Sequence, residues 1–272
     1  MSISDRVRIK NDVILQTFDL CNWGVTPTYW QFTQFPQHCR ERLSVIFDGI
    51  DTNALTPNSQ TRMRIDEIEL TRENEIITFA NRNLEPYRGF HVFMRCLPRL
   101  LRKRPQAHVL VIGGDGIGYG PPPRAGKSWR EVLLAEVGHA LDRSRVHFLG
   151  RVPYDEFIAL LQLSSVHVYL TYPFVLSWSM IEAMSCGCAI VASATPPVME
   201  VIKDGENGLL VDFFDGDGIV DAVSRALDHP DRMQAMRAAA RRSAVERYDL
   251  VTVCLPRQAE LIHRIAARRR PE

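Results

Sequence analysis

The stretch Tyr169-Leu-Thr-Tyr-Pro-Phe-Val-Leu-Ser-Trp-Ser-Met-Ile-Glu-Ala-Met-Ser-Cys-Gly-Cys-Ala-Ile-Val-Ala-Ser193 decides the fold predicted for this chain of 272 residues. It combines a buried strand, a loop, a short helix, a glycine turn and a second buried strand. These parts are, in order, His167 to Leu170, Pro173 to Ser177, Ser177 to Met184, Gly187 and Ala189 to Ala192. Two strands joined through a helix form a βαβ unit, in which the strands are parallel.

The same alternation extends on both sides of this unit. The other predicted strands are Ile76 to Ala80, His108 to Ile112, Val146 to Leu149 and Gly208 to Val211. The other predicted helices are Phe90 to Lys103, Ser128 to Leu141, Tyr154 to Ser164, Gly216 to His229 and Asp231 to Arg247. Alternating strands and helices predict an α/β domain, with a doubly wound parallel sheet of Rossmann type and helices on both faces.

A ligand site is expected at the loop before Ser177. Ligands of such sheets bind beyond the carboxyl ends of the strands, and a helix that begins there offers unpaired N–H groups and a positive dipole end to a phosphate. Glu182 follows in the same helix, among Met180, Ile181, Ala183 and Met184. A carboxylate in apolar company needs a partner. The alternative is an ordinary surface glutamate on an amphipathic helix.

The run from Ser177 to Ser193 resembles the signature of the retaining glycosyltransferases of family four, E-G-F-G-L-x-x-x-E-A-M-A-x-G-x-P-V-x-A-S. The resemblance implies the carboxyl-terminal, nucleotide-sugar-binding domain of a GT-B enzyme. It implies that Glu182 binds the ribose hydroxyls of the nucleotide and that backbone N–H groups of Ser177, Trp178 and Ser179 hold the diphosphate. The first glutamate of the signature, which meets the donor sugar, falls on Phe174. A phenylalanine cannot accept a hydrogen bond from a sugar hydroxyl.

Two arginines follow the first strand of the domain, in Asn81-Arg-Asn-Leu-Glu-Pro-Tyr-Arg-Gly-Phe90. The segment resembles the family's G-R-L-x-x-x-K-G, with Arg82 on the arginine, Arg88 on the lysine and one residue more between them. Guanidinium groups at the carboxyl end of a strand suit a diphosphate, because their planar donors match its oxygens. The alternative is a pair of solvated surface arginines.

Other motifs of the family pattern are weaker. Gly113 and Gly114 match its G-x-G turn, which lets the backbone approach a ligand; neither a dinucleotide fingerprint nor a Walker loop fits there. Tyr119 to Lys127 is predicted to be a surface insertion. Tyr154 is either a residue that stacks on the nucleotide base or an ordinary aromatic at a helix start. Glu200 is expected to be structural, holding the N–H groups of its own turn, rather than catalytic.

The two ends of the chain fall outside the Rossmann pattern. The segment Asp48-Gly-Ile-Asp resembles the hinge of the same family. The resemblance implies that residues 1 to 57 are a remnant of an acceptor domain with its hinge, that residues 58 to 249 are the nucleotide-sugar-binding domain, and that residues 250 to 272, which include Arg268-Arg-Arg270, are a crossing helix. Within the first part, the thirteen residues 23 to 35 carry five aromatics, too much apolar surface to leave in water; they are Trp23, Tyr29, Trp30, Phe32 and Phe35. Either this segment folds back onto the nucleotide domain, or two chains cover each other.

Composition excludes several classes of protein. The chain has 33 basic and 32 acidic residues, and 46% of its residues are hydrophobic, as in an ordinary globular protein. The balanced charge does not indicate a strongly charged partner, and binding to nucleic acid is not expected. Six scattered cysteines without a C-x-x-C pair predict reduced thiols and no metal site. No apolar run is long enough to span a membrane, and no signal peptide is visible, so a cytoplasmic protein is expected.

The sequence therefore predicts a glycosyltransferase that uses a nucleotide-diphosphate sugar, retains anomeric configuration and needs no metal or other cofactor. The acceptor would be a glycan or a lipid-linked molecule, in cell-envelope polysaccharide synthesis. No catalytic residue is assigned, because the family's catalytic histidine lies in the acceptor domain. A non-catalytic nucleotide-sugar-binding subunit and a GT-B sugar-nucleotide epimerase remain alternatives. Contact with the inner face of the membrane and a homodimer are further options.

Overall fold

The computed structural model describes residues 2–123 and 126–267. Its centre is a six-stranded sheet in which every neighbouring pair of strands is parallel. The strands are β5 (Ile76–Asn83), β6 (His108–Gly114), β7 (Val146–Gly150), β8 (Val166–Tyr169), β9 (Ala189–Ser193) and β10 (Leu209–Val211). Their order in the sheet is β10-β9-β8-β5-β6-β7. The predicted α/β class and doubly wound order are therefore confirmed.

Helices cover both faces of this sheet. They are α4 (Phe90–Lys103), α5 (Trp129–Val137), α6 (Tyr154–Leu163), α7 (Trp178–Ser185), α8 (Pro196–Met199), α9 (Gly216–Asp228) and α10 (Pro230–Tyr248). Residues 76 to 80 of β5 and all of β8 and β9 are buried, as expected for strands covered on both sides. The chain order reverses between β5 and β8, so the switch point of the sheet lies at the carboxyl ends of these two strands.

The first part of the chain forms α1 (Ile3–Leu20), β1 (Gly24–Thr26), α2 (Tyr29–Gln34), α3 (Gln37–Arg40) and β2 (Leu43–Val45). Strands β1 and β2 pair in parallel, and Phe18 packs against Cys39 and Leu43. A hairpin of β3 (Met63–Ile65) and β4 (Ile68–Leu70) follows, which the sequence reading missed. Ile65 and Leu70 of this hairpin join the hydrophobic cluster beneath β5 and β6.

The amino-terminal segment folds back onto the nucleotide domain. The Glu200 carboxylate accepts hydrogen bonds from the N–H groups of Tyr29 (2.8 Å) and Trp30 (2.6 Å), at the start of α2. This agrees with the structural role expected for Glu200, although the N–H groups belong to a distant helix and not to its own turn. Phe32 and Phe35 pack on the cluster that contains Phe18. The structure shows a contact of the first kind, between α2 and the nucleotide domain, and the self-association expected as the alternative stays a prediction.

The end of the chain crosses back to the hinge. A π-helical turn, Leu250–Cys254, leads into α11 (Leu255–Ala267), whose Gln258 side chain donates to the carbonyls of Phe47 and Asp48 at 3.4 Å. The predicted run Arg268-Arg-Arg270 lies outside the described residues. Within residues 2–123 and 126–267, we find no helix with the length and apolar character needed to cross a membrane.

Candidate functional site

The candidate site lies at the switch point, where the loops after β5, β6 and β8 meet the start of α7. One glycine makes this meeting possible. Gly89 has a positive φ of 71°, and a Cβ atom there would lie 2.2 Å from the Cβ of Leu170. Only glycine allows the turn Pro86–Arg88 to approach the end of β8 so closely. The approach carries Arg88 into the loop between β8 and α7.

Arg88 is buried, with 8% of its surface exposed. Its described side-chain hydrogen bonds all come from Nη1, which donates to Val175 O (3.0 Å), Thr171 Oγ1 (3.3 Å) and Tyr169 Oη (3.4 Å). Within residues 2–123 and 126–267, no carboxylate forms an ion pair with Arg88, and no residue accepts from Nε or Nη2. That edge of a guanidinium is a two-pronged donor for carboxylate or phosphate.

Two aromatic rings cover this guanidinium. The Arg88 Cζ lies 5.3 Å from the ring centre of Phe174 and 5.5 Å from that of Tyr119, and the two ring centres are 4.5 Å apart. Phe174, which replaces the glutamate of the family signature, therefore contacts the predicted diphosphate-binding arginine. Tyr119 lies in the segment predicted to be a surface insertion. Its side chain is 56% exposed, but its ring forms part of the site.

The amino terminus of α7 faces the same loop. Ser177 is its N-cap: Ser177 Oγ accepts from the N–H of Ser179 (3.4 Å) and lies 2.9 Å from Ser179 Oγ. The Ser177 N–H donates to Tyr169 Oη at 2.8 Å. Tyr169 thus links the helix start to Arg88. The first N–H groups of a helix have no partner within it, so this end can receive an anion beside the guanidinium.

Trp178, also predicted at the site, uses its side chain elsewhere. Its Nε1 donates to Asp48 Oδ2 at 2.9 Å, which ties α7 to the hinge segment. The ring is 52% exposed. The predicted contribution of Trp178, a backbone N–H in the first turn of α7, does not depend on that ring.

Glu182 and Tyr154 form one unit. Glu182 is 4% exposed, which excludes the surface alternative, and its Oε1 accepts from Tyr154 Oη at 2.8 Å. Burial raises the pKa of the Glu182 carboxyl, and the hydrogen bond from Tyr154 opposes that rise. Burial raises the pKa of the Tyr154 hydroxyl, and the adjacent carboxylate raises it further. Glu182 Oε2 has no hydrogen-bond partner in the described part of the chain, so it can accept from a ligand hydroxyl.

The remaining predicted site residues are Arg82, Gly113 and Gly114. Arg82 is exposed, and the described residues provide its side chain with no hydrogen bond or ion pair. A Cβ at Gly113, whose φ is 150°, would lie 2.4 Å from Asn81 O, and one at Gly114 would lie 2.7 Å from Arg151 Nε. Gly113 therefore lets the ends of β5 and β6 pack together, and Gly114 leaves room for the Arg151 side chain after β7. Across the described ranges no group of three or more His, Cys, Asp or Glu residues is arranged to hold a metal ion.

Two protein-family models match the chain. The model described as "Glycosyl transferases group 1" matches residues 61–243, and "Glycosyl transferase family 4 group" matches residues 2–55. Among curated relatives, D-inositol 3-phosphate glycosyltransferase of Corynebacterium efficiens is 27% identical over 192 residues, which is 69% of this chain and 43% of the relative. Phosphatidyl-myo-inositol mannosyltransferase of Mycolicibacterium smegmatis is 30% identical over 183 residues, or 65% of this chain and 42% of the relative.

Among solved structures, Anabaena Alr3699/HepE in complex with UDP and glucose superimposes with a TM-score of 0.74 at 19% identity, covering 89% of this chain and 63% of that chain. At 19% sequence identity, this similarity shows a shared fold and nothing more. The chain spans less than half the length of the two curated relatives named above.

Proposed function

The chain belongs to the glycosyl transferases group 1 family, with the GT-B fold, and on this premise we propose that it is the donor-binding half of a retaining glycosyltransferase. In this proposal the whole protein transfers a sugar from a nucleotide-diphosphate sugar to a glycan or lipid-linked acceptor. The name of one relative, phosphatidyl-myo-inositol mannosyltransferase, contains a lipid acceptor and supports an acceptor of the second kind. The proposed setting is cell-envelope polysaccharide synthesis.

The observation that carries the proposal is the buried Arg88 without a counter-ion. Removing a charge from water is costly unless another charge or several hydrogen bonds replace the water. Arg88 is 8% exposed, has three hydrogen bonds to neutral oxygens on one nitrogen, and directs no described contact from its other two nitrogens. A diphosphate would provide the missing charge and accept from the Nε and Nη2 edge. The start of α7 would stabilise the same anion through its N–H groups.

Glu182 supports a nucleotide as the carrier of that diphosphate. Tyr154 holds one carboxylate oxygen, and the other can accept from a hydroxyl. A carboxylate accepts hydrogen bonds only, so it suits the adjacent hydroxyl donors of a ribose. In this proposal, Arg88 and the start of α7 bind the phosphates and Glu182 binds the ribose.

We propose that no metal takes part in donor binding. Arg88, Arg82 and the amides at the start of α7 would balance the diphosphate charge, as preorganised donors do at other anionic groups. The affinity for the nucleoside diphosphate is expected to be the same with and without a chelator. A loss of binding in the chelator, restored by a divalent cation, would contradict this part of the proposal.

Self-association and contact with the inner, cytoplasmic face of a membrane are further parts of the proposal for the whole protein. The apolar side chains of α1 support a covering partner: Val13 is 57% exposed and Leu20 is 89% exposed. Such surface is normally covered in a working protein. Light scattering at micromolar concentration tests the dimer, and a strictly monomeric mass would remove it.

A second candidate function is nucleotide-sugar binding without catalysis. Phe174 favours it, because a ring replaces the carboxylate that the family signature places toward the donor sugar. A transfer assay beside a binding assay separates the two, since binding without any transfer by the whole protein would favour the second candidate.

A thermal-shift screen over UDP, GDP, ADP and their sugars tests the proposed function. A ligand at about one hundred times its dissociation constant should stabilise the protein by roughly 2.7 kcal/mol. The nucleosides without phosphate serve as ligand controls, and the variant Arg88→Met serves as a protein control. The proposal fails if no diphosphate shifts the melting temperature, or if the shift is the same in Arg88→Met.

A further inference from the structure

The loop between β6 and α5 is fastened to the turn that carries Arg88. Glu85, 3% exposed, accepts through its carboxylate from the N–H of Tyr119 (2.8 and 3.1 Å) and from the N–H of Gly120 (2.9 Å). Asn83 Nδ2 donates to Ile117 O at 3.2 Å in the same loop. One buried carboxylate therefore satisfies two consecutive backbone donors, and charge-assisted bonds of this kind are among the stronger ones in proteins.

Glycines allow the loop to lie this close. A Cβ at position 118 would be 2.1 Å from Glu85 Oε1, and a Cβ at position 120 would be 2.9 Å from Cδ2 of Tyr87. Side chains at Gly118 and Gly120 would therefore push the loop away from Glu85. With glycine at both positions, the backbone rests on the carboxylate, and Tyr119 between them is directed over the site.

The position of Tyr119 has an electrostatic consequence. Its ring and that of Phe174 lie against each other and against Arg88, whose surface is almost entirely covered. The rings give the cation a favourable face while it has no anion. They also limit the access of water to it, and a charge with less water around it attracts an anion more strongly and is less screened by salt.

We propose that Glu85 is a positioning residue that holds Tyr119 over Arg88, and that Tyr119 is a wall of the phosphate-binding site which strengthens its hold on a diphosphate by excluding water. This inference rests on the proposed function, because the ligand is the same nucleoside diphosphate. It adds two residues to the site and makes the loop after β6 a determinant of affinity.

The first test measures binding of whichever of UDP, GDP or ADP binds the unaltered protein best, by calorimetry at about 50 mM and about 500 mM NaCl. We expect Tyr119→Ala and Glu85→Gln to weaken binding about tenfold and to steepen its salt dependence. Tyr119→Phe, which keeps the ring, and Tyr29→Ala, which removes a remote exposed tyrosine, should bind like the unaltered protein. Unchanged affinity and salt dependence in Tyr119→Ala would overturn the inference.

The second test needs no ligand. Phenylglyoxal labelling of Arg88, followed by mass spectrometry, should be slow in the unaltered protein and clearly faster in Tyr119→Ala and Glu85→Gln. Amide hydrogen exchange at Tyr119 and Gly120 should accelerate in Glu85→Gln, because the acceptor of both amides is weakened. If no diphosphate binds the unaltered protein, the proposed function fails and the phosphate-wall role fails with it. Equal labelling of Arg88 in all variants overturns the covering of Arg88 whether or not a diphosphate binds.

Discussion

Replacing Arg88 with methionine should strongly weaken diphosphate binding and leave the protein almost as stable as before. Methionine keeps much of the length and the apolar contact with Phe174 and Tyr119, but it removes the charge. At about 4 Å and an effective dielectric constant of about 20, one charge pair is worth about 4 kcal/mol, part of which is offset by dehydration of the phosphate. We therefore expect a loss of about 2 to 4 kcal/mol, or roughly 30- to 700-fold in affinity.

The stability expectation follows from the same contacts. Removing Arg88 loses three hydrogen bonds to neutral oxygens, but it also removes a buried charge that has no described counter-ion. These contributions are of similar size and opposite sign, so the free energy of unfolding should change by no more than about 1 kcal/mol. A purely structural buried arginine would behave differently, because its loss would destabilise the fold by several kcal/mol, roughly 3 or more.

Calorimetry of the diphosphate and of the bare nucleoside, together with urea denaturation, measures both effects. The comparison variant is Arg82→Ala, which removes the exposed arginine of the same proposed site and should reduce diphosphate affinity by no more than about 1 kcal/mol. Nucleoside affinity should be nearly the same in both variants, since the arginines face phosphate. A marked loss of stability in Arg88→Met together with unchanged diphosphate affinity would refute the reasoning.

Three further predictions concern other residues. Glu182→Gln should weaken nucleotide binding by about 1 to 3 kcal/mol at neutral pH. Because burial raises the pKa of Glu182, the carboxylate takes up a proton at a higher pH than usual, so nucleotide affinity should fall as the pH is lowered and should fall less in the variant. Parallel pH profiles of the two proteins by calorimetry would contradict this. Glu200→Ala should destabilise the fold by about 1 to 2 kcal/mol and speed amide exchange at Tyr29, its hydrogen-bond donor; unchanged exchange would show that the carboxylate does not anchor α2. Gly113→Ala should lower the free energy of unfolding, measured by urea denaturation, by about 2 to 4 kcal/mol, because the added Cβ would meet the carbonyl oxygen of Asn81. Gly114→Ala, where the nearest atom belongs to a flexible side chain, should destabilise the fold much less, and equal effects of the two substitutions would argue against the backbone clash.

Local patterns in the sequence determined the fold class. The alternation of strands and helices, the N-cap at Ser177 and the glycine after α7 depend on residues close in the chain, so they could be recognised without knowing where the other elements lie. The parallel sheet followed from the connections alone. The sequence reading missed the β3–β4 hairpin because its strands are three residues long, and it is held mainly by packing against β5 and β6.

Within the site, the sequence identified which residue types matter but not what each contacts. Arg82 and Arg88 were equivalent candidates in one motif, yet one is exposed and the other buried, because Gly89 turns the chain into the end of β8. Glu182 and Tyr154 lie 28 residues apart in the sequence and meet only in the folded chain.

Tyr119 shows most clearly what could not be predicted from the sequence. Nothing in its neighbourhood in the sequence indicates a binding residue. It reaches Arg88 because Glu85, 34 residues earlier, accepts its backbone N–H, and because glycines on both sides allow that approach. Short-range preferences therefore determined the elements and their order, whereas contacts between loops from different strands, formed only when the sheet assembles, decided which side chains cover the buried cation.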